Sequence, residues 1–227
     1  MIPQVVQIPD QTRGFDCNTT LTTETAQRFR RKGFKYAYRY VGRSSDPKEQ
    51  HSWDLTTTEV MAILMGGLAV GVVQHVESAK SWIPSVEKGV NYGNAAADNS
   101  ERIGIPKGVT VFCDLEGVDP SVPHSITYQY CINWYGQVAG SGYEAGLYVG
   151  WHCGLNAQEL WTLPFKHYWI AYNLNHDQWP ARRGPQMRQM EAHASDRPEG
   201  VKFGFDTDIV TIDALGGLPT VLAPEEW

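Results

Sequence analysis

Two carboxylates stand two positions apart at the end of an apolar run: Asp114 and Glu116, in the segment VFCDLEGVDP (111–120). Side chains at positions i and i+2 of a strand point to the same side, so both acids face the same space. Like charges held close together raise the pKa of one carboxyl group, which then stays protonated near neutral pH and can donate a proton to a leaving oxygen. Cleavage of a glycosidic bond uses such a pair, one acid protonated and the other ionised. We expect Glu116, with its longer side chain, to be the acid and Asp114 to remain ionised.

The elements that would position this pair alternate along the chain. Short apolar runs predict eight strands, over residues 14–17, 34–41, 68–76, 109–116, 144–151, 167–175, 185–193 and 202–210. Four full helices separate the first five strands, a short fifth helix covers residues 156–163, and the later connections are too short for helices. This α/β pattern predicts a (β/α)8 barrel of the TIM type, with an irregular second half lacking some helices, formed by residues 1–227 as a single domain. A doubly wound open sheet is the alternative.

Further acids fall where such a barrel places its chemistry, at the carboxyl ends of the strands. Asp16 ends the first predicted strand, and Asp206 and Asp208 lie on the eighth, which neighbours the first once the barrel closes. We expect these acids to converge with Asp114 and Glu116 across one mouth. The alternative interpretation of residues 111–120 is a plain exit from a strand into a turn, with polar residues marking the solvent boundary.

Aromatic and polar side chains at other strand ends are candidates for contact with sugars. Flat rings stack on sugar faces, and four of them gather on the later strands: Tyr148, Trp151, Trp169 and Tyr172. The alternative for each ring is packing in the core. Arg39 and Tyr40 lie where the second strand enters the mouth, and Gln74 where the third does; capping of strand ends is their alternative role.

Composition and missing motifs exclude several other classes of function. Nineteen Lys and Arg against 25 Asp and Glu give a net charge of −6, which disfavours nucleic acid or an anionic membrane as the main partner. The seven histidines form no HExxH motif and the four cysteines no CxxC pair, so we expect no metal. GxSxG, P-loop and GxGxxG motifs are also missing, so no cofactor is expected. The N-terminus MIPQVVQIPDQ lacks the features of a signal peptide.

The order of motifs resembles the glycoside-hydrolase-like barrels of domain of unknown function 1906, relatives of the glycoside hydrolase family 25 lysozymes. The resemblance is carried by GFDCNTTLT (14–22), GFKYAYRYV (33–41), residues 55–76, residues 88–119, GLYVGW (146–151), YWIAYN (168–173), the Gln189 of MRQM, and GFDTD (204–208). It covers most of the chain, and its most specific part is residues 88–119, with a helix of Gly and small residues, then Gly-x-Pro, a strand and the Asp-x-Glu at 114–116. Asp208 stands where these families commonly have an asparagine.

The resemblance implies a role for each acid. Glu116 would be the general acid, and Asp114 would orient or stabilise the N-acetyl group of the substrate during cleavage with net retention. Asp16 and Asp206 would shape the charge of the pocket and hold sugar hydroxyls. Asp208 and Gln189 would add to substrate binding.

The resulting hypothesis is an enzyme: a muramidase-like glycoside hydrolase that cleaves β-1,4 bonds of an N-acetylated glycan, with bacterial peptidoglycan as the first candidate. Without a signal peptide, we expect a monomer made in the cytoplasm that reaches the cell wall or periplasm as a phage lysin or a secreted effector. A delivery machinery or a separate wall-binding chain would be its partner besides the glycan. The alternatives are a non-catalytic glycan-binding or structural barrel that retains the carboxylate pocket, and a glycosidase acting on another polysaccharide.

Overall fold

The computed structural model describes residues 2–191, 193–213, 215 and 217–227; Ala192, in the seventh predicted strand, lies outside the described residues. The strands are β1 (Gln4–Gln7), β2 (Arg13–Asp16), β3 (Tyr36–Val41), β4 (Ala69–Gln74), β5 (Thr110–Leu115), β6 (Glu144–Val149), β7 (His167–Ile170), β8 (Met187–Met190), β9 (Asp206–Val210) and β10 (Thr220–Ala223). The α-helices are α1 (Thr23–Arg31), α2 (Thr57–Met65), α3 (Val86–Arg102), α4 (His124–Gly140) and α5 (Ala157–Thr162).

Strands β2 to β9 close into a barrel. Each pairs with the next along the chain, and β9 pairs with β2 to complete the ring. The pairing of β4 with β5, from Val72 opposite Val111 to Gln74 opposite Cys113, removes the free edges that a doubly wound sheet would have. The predicted α/β barrel of the TIM type is therefore confirmed, and the open sheet is wrong.

The last barrel strand runs against its neighbours. β2 to β8 are parallel, whereas β9 is antiparallel to both β8 and β2. The expectation that the acids of this strand lie at its carboxyl end is wrong, because the reversed strand begins at the mouth. Asp206, its first residue, pairs with Asp16 at the end of β2, and Asp208 lies two residues deeper.

Helices cover only part of the barrel. α1 to α4 follow β2 to β5, each of α1, α2 and α3 begins at a Ser or Thr cap, and the short α5 follows β6 behind an Asn156 cap. Between β7 and β9 the connections contain one-turn 3₁₀ helices, at His176–Gln178 and Ala194–Asp196. This agrees with the predicted irregular second half. None of the described helices is long and apolar enough to cross a bilayer.

Two short strands outside the barrel were not predicted. β1 pairs antiparallel with β10, and Leu222 of β10 pairs with Val70 at the start of β4. The backbone N–H of Thr220 donates to Oγ1 of Thr110 on β5 at 2.9 Å. β10 therefore lies between β4 and β5 at the end of the barrel away from the mouth, where those two strands do not pair with each other.

The interior of the barrel is filled by large rings. Tyr36, Tyr38, Phe112 and Trp169 are fully buried there, with edge-to-face and tilted contacts between successive rings. The ring of Tyr38 lies over Gly71, where a Cβ would come within 2.3 Å of it. This packed layer makes a floor, so a cleft at the mouth is shallow and cannot run through the barrel.

Candidate active site

A cleft of about 260 Å³ opens at the mouth of the barrel. Its lining consists of Tyr40, Asp114, Glu116, Tyr148, Trp151, Ala171, Tyr172, Asn173, Gln189 and Asp206. Eight of these ten are among the thirteen predicted site residues. They come from β3, β5, β6, β7, β8 and β9 or from the residues directly after them, so closure of the barrel is what brings them together.

Asp114 and Glu116 lie together in this cleft, as the strand geometry predicts. Asp114, the penultimate residue of β5, is 7% exposed and lies near the backbone N–H of Val76, which lowers its pKa against the larger effect of burial, whereas Glu116 is only half-buried. The Glu116 backbone is fixed because its carbonyl accepts from the indole N–H of Trp82 at 2.7 Å. The Glu116 side chain passes close over Gly150. A Cβ atom added at residue 150 would lie 2.5 Å from Oε2 of Glu116, so a larger residue there would collide with the acid.

The pKa values of both carboxyl groups are raised, not only that of Glu116. Burial raises the pKa of Asp114 well above its usual range, and the neighbouring Glu116 charge raises it further. Burial also raises the pKa of Glu116. Burial therefore favours the protonated form of both carboxyl groups, including that of Asp114, for which the sequence pattern predicts the ionised form.

Asp16 lies beside the cleft, not on its wall. It is 4% exposed and accepts hydrogen bonds from the hydroxyl of Tyr40 at 2.9 Å and from the Gln189 amide at 3.4 Å. Burial, followed by the charge of the paired Asp206, raises the pKa of Asp16 to about 7. Asp206 itself lines the cleft, and burial raises its pKa as well. Asp16 thus positions Tyr40 and Gln189, which do line the cleft.

Asp208 and Trp169 belong to the barrel interior, and the expectation that they contact substrate is not met. Asp208 has no exposed surface, and Trp169 is 1% exposed. The indole N–H of Trp169 donates to Oδ1 of Asp208 at 3.0 Å. Burial and the charge of Asp16 raise the pKa of Asp208 well above its usual range. For Trp169 the alternative role, packing in the core, is the one that its position supports.

Arg39 and Gln74 also lie away from the cleft surface. Arg39 is fully buried, and its guanidinium pairs with Glu59 at 2.6 Å while donating to the carbonyls of Cys17 and Trp53. Gln74 is 2% exposed and donates to the carbonyl of Gly42. Both side chains hold together the loops that surround the mouth, which corrects their expected role in substrate binding.

Aromatic surface remains at the rim of the cleft. Trp151 is 50% exposed and Tyr172 is 54% exposed. The Trp151 ring stacks on that of His152, with 3.7 Å between the centroids, and His152 has a φ of 54°. Tyr148 lies deeper, where its hydroxyl donates to the Gln189 amide oxygen at 3.3 Å. The exposed faces suit stacking against a flat apolar ligand surface.

Sequence reasoning missed two residues of the lining and a nearby cation. Ala171 and Asn173 follow β7, in the segment that supplies Tyr172, and the position of that segment after a strand was the available signal. Arg43 follows β3 and lies near enough to Asp114 to lower its pKa, against the larger effect of burial. Within the described residues, no three His, Cys, Asp or Glu side chains converge as they would around a metal ion.

A family model matches most of the chain. The model, described as Rv2525c-like, glycoside hydrolase-like domain, matches residues 27–210, which include Asp114, Glu116 and Asp206 but not Asp16. Comparison with curated proteins finds no match.

Solved structures share the fold at low sequence identity. An uncharacterized protein of B. stearothermophilus has a TM-score of 0.60 and 19% identity, over 88% of this chain and 95% of that one. The modular autolysin LytC of Streptococcus pneumoniae, solved with a synthetic peptidoglycan ligand, has a TM-score of 0.60 and 11% identity, over 90% of this chain and 47% of that one. The lysozyme of Streptomyces coelicolor has a TM-score of 0.55 and 12% identity, over 89% and 93%.

Proposed function

This chain belongs to the family of Rv2525c-like, glycoside hydrolase-like domains, and we propose that it is itself a glycoside hydrolase that cleaves β-1,4 bonds of an N-acetylated glycan. The observation that carries the proposal is the Asp114–Glu116 pair, two carboxyl groups whose pKa values burial raises and which lie in a cleft with an aromatic rim. A proton donor next to a second carboxylate is what glycosidic bond cleavage needs.

Glu116 is the member that delivers the proton. It is the more exposed of the two acids, so it can reach a leaving oxygen in the cleft, whereas Asp114 is enclosed. Once Glu116 has given up its proton, Asp114 lies beside the reacting sugar, where it orients the N-acetyl group. The Tyr148 hydroxyl, Gln189 and Asp206 are placed to hold sugar hydroxyls, and the rings of Trp151 and Tyr172 to stack on sugar faces.

Bacterial peptidoglycan is the proposed substrate. A lysozyme and an autolysin solved with a peptidoglycan ligand are among the structures that share this fold, which supports a glycan of this class without fixing the bond. In this proposal the chain is a monomer that acts at the cell wall or in the periplasm, as a phage lysin or a secreted effector.

The proposal is tested by incubating the protein with purified peptidoglycan and measuring new reducing ends, with the fragments identified by mass. Release of disaccharide-peptide fragments supports a muramidase-like hydrolase. Binding of the protein to peptidoglycan without any release contradicts the proposal and favours a glycan-binding barrel. Release of reducing ends from another polysaccharide, but not from peptidoglycan, contradicts the proposed substrate and supports the proposed reaction, hydrolysis of a glycosidic bond.

A further inference from the structure

A row of four side chains runs from the loop after β3 to the end of β2. Its members are Asp54, His75, Tyr40 and Asp16, in this order. Tyr40 is the member that lines the cleft beside Asp114, whereas His75 lines a neighbouring pocket at the mouth. Asp54 and Asp16, at the two ends of the row, are each 4% exposed. The row therefore places one wall of the cleft between two buried acids.

Tyr40 is held at two points by its neighbours in the row. Its hydroxyl donates to Oδ1 of Asp16 at 2.9 Å. Its ring stacks on the imidazole of His75, with centroids 4.6 Å apart and 25° between the two planes. Nε2 of His75 in turn lies 3.4 Å from Oδ1 of Asp54. Asp16 therefore fixes the hydroxyl of Tyr40, and the pair of His75 and Asp54 supports one face of its ring.

The loop that carries Asp54 is fastened to the strand that carries Tyr40. On one side of Asp54, the carbonyl of Trp53 accepts from the buried guanidinium of Arg39 at 2.8 Å. On the other side, the N–H of Leu55 donates to the carbonyl of Tyr40 at 2.8 Å. Because both chain neighbours of Asp54 are bonded to adjacent residues of β3, its carboxylate keeps a fixed position relative to Tyr40.

Two buried atoms of the row depend on each other. Oδ1 of Asp54 and Nε2 of His75 have no hydrogen-bond partner among the described residues. Their separation of 3.4 Å is too long for a strong hydrogen bond, so the contact is strongest when the imidazole is protonated and forms an ion pair. Burial raises the pKa of Asp54, but the His75 imidazole and then the backbone N–H of His51 together lower it by more. Asp54 is therefore the ionised partner.

Other charged and titratable groups surround His75 in the pocket, in the chain after it and in the cleft: Arg43, Glu49, His51, Tyr92, Glu77 and Asp114. Of the acids among them, Glu49 is exposed, and Glu77 is paired with Lys88 at 2.8 Å. Burial raises the pKa of Asp114 well above its usual range, so its neutral form is favoured. Asp54 is thus the buried anion in contact with the imidazole.

A proton on His75 also strengthens its contact with Tyr40. A cation over the face of an aromatic ring is attracted by the electrons of that ring, more strongly where water is largely excluded. The side chain of His75 is 17% exposed, and its ring lies nearly parallel to that of Tyr40. Histidine is the side chain that ordinarily changes its charge between pH 5 and 8. The Tyr40 ring is therefore held more firmly on the acidic side of this range.

From these observations we infer that Asp54 and His75 are positioning residues, which hold the Tyr40 ring in the wall of the cleft, and that a proton on His75 makes the cleft bind its glycan more tightly. Both residues act through Tyr40. This inference rests on the proposed function and adds a dependence on pH to the same site. Cleavage needs a proton on Glu116, so binding and chemistry are favoured on the same, acidic side.

The test uses the Glu116→Gln variant, so that bound glycan is not cleaved. Calorimetry measures its affinity for soluble, sonicated peptidoglycan fragments at pH 5 and pH 8. Adding His75→Asn should weaken binding by roughly 3–10-fold at pH 5 and by no more than ~2-fold at pH 8. Both proteins retain Asp16, whose pKa of about 7 lies in the same range, so the ratio of their affinities isolates the effect of His75.

Two further variants show whether His75 acts through its neighbours in the row. Asp54→Asn removes the charge of the ion pair with little change of shape and should cause the same loss at pH 5. In a Tyr40→Ala background, His75→Asn should have no further effect on affinity, because the ring that it supports is gone. His51→Asn is the control: it removes a ring from the same pocket, one that stacks on Trp53, and should keep both the affinity and its pH dependence.

An effect of His75→Asn that is the same at both pH values overturns the inference, as does one that persists in the Tyr40→Ala background or a failure of Glu116→Gln to bind the fragments. If His75→Asn does not fold, Asp54→Asn decides by the same comparison of pH 5 with pH 8. The proposed function fails separately: pH-dependent binding through His75, without release of reducing ends by the wild type, contradicts the hydrolase and not the positioning of Tyr40.

Discussion

Asp16 and Asp206 face each other directly across two antiparallel strands, the last residue of β2 opposite the first of β9. Two carboxylates in this relationship repel each other, and the Tyr40 and Gln189 hydrogen bonds to Asp16 compensate only partly. The pair lies at the mouth of the barrel, where its repulsion lowers the stability of the folded protein while both acids contribute to the candidate site.

The first prediction concerns stability against pH. The pKa of Asp16 is raised from 3.8 to about 7, so the folded state binds a proton more tightly than the unfolded state. Its contribution to stability is fully present below pH 3.8 and is lost as the pH rises through about 7. We expect Asp16→Asn to be more stable than the wild type at pH 8, by about 2–4 kcal/mol, and to lose this advantage towards pH 4.

Denaturant unfolding of both proteins at pH 4, 6 and 8 checks this prediction. A difference in unfolding free energy that is independent of pH would show that Asp16 does not carry the shifted proton.

The second prediction concerns the pH dependence of hydrolysis. Activity requires a proton on Glu116, so kcat/KM should fall as the pH rises through the pKa of the pair. Burial is what raises the pKa of Glu116, while burial and the Glu116 charge raise that of Asp114 well above its usual range, so Asp114 is neutral while Glu116 titrates. Asp114→Asn, which is neutral at every pH, should therefore leave the basic limb in place. A basic limb that moves to lower pH in Asp114→Asn would show that a charge on Asp114 raises the pKa of the acid.

A third prediction uses the close approach of Gly150 to Glu116. In Gly150→Ala the new Cβ would be 2.5 Å from Oε2 and 2.6 Å from Cβ of Glu116, so the acid must move. Misplacement by about 1 Å can cost ~10²-fold in rate, and we expect a loss of this order in kcat with the fold retained. Gly136→Ala is the matched control, because it adds the same methyl in open space on α4 and should keep full activity. Equal kcat for the two variants would disprove the close positioning of Glu116.

The fourth prediction separates the two tryptophans that the sequence treated alike. Trp151→Ala should raise KM by roughly 3–10-fold through lost stacking and leave the unfolding free energy nearly unchanged. Trp169→Ala should instead lower the unfolding free energy by about 3–5 kcal/mol, since its ring is buried in the barrel. Steady-state kinetics and thermal unfolding of both variants distinguish these effects. A large loss of stability in Trp151→Ala would contradict its assignment to the rim.

Local patterns were enough to predict the barrel and the placement of its central acids. Alternation within a strand puts Asp114 and Glu116 on one side, and helix signals between strands give the crossovers that a parallel barrel needs. Local patterns do not predict the direction of a strand, because the alternation of apolar and polar residues in the segment 202–210 is the same for a parallel and an antiparallel strand. The connection that precedes β9, residues 191–205, is about as long as the one that precedes the parallel β8, residues 171–186, so its length does not indicate the reversal. The reversal becomes visible only in the pairing of β9 with both of its neighbours in the closed ring.

The sequence did not predict which side chains at the strand ends are buried and which line the cleft, because this also depends on partners that are distant in the chain. Arg39 and Tyr40 are adjacent, yet one faces Glu59 behind the strand and the other faces the cleft. The partner that makes a buried arginine tolerable lies 20 residues away, on α2. Arg43 escaped notice because it lies in a loop, where no periodicity indicates which way a side chain points.

The central claim, that Glu116 is the general acid of a glycan hydrolase, is tested most directly by the rate at which Glu116→Gln releases reducing ends from peptidoglycan. Glu101→Gln, the same change at an exposed position on α3, is the control. We predict that Glu116→Gln is slower than the wild type by ~10²–10⁴-fold, the usual contribution of a general acid, and that Glu101→Gln is unaffected. A Glu116→Gln variant that releases reducing ends at the wild-type rate would contradict the claim.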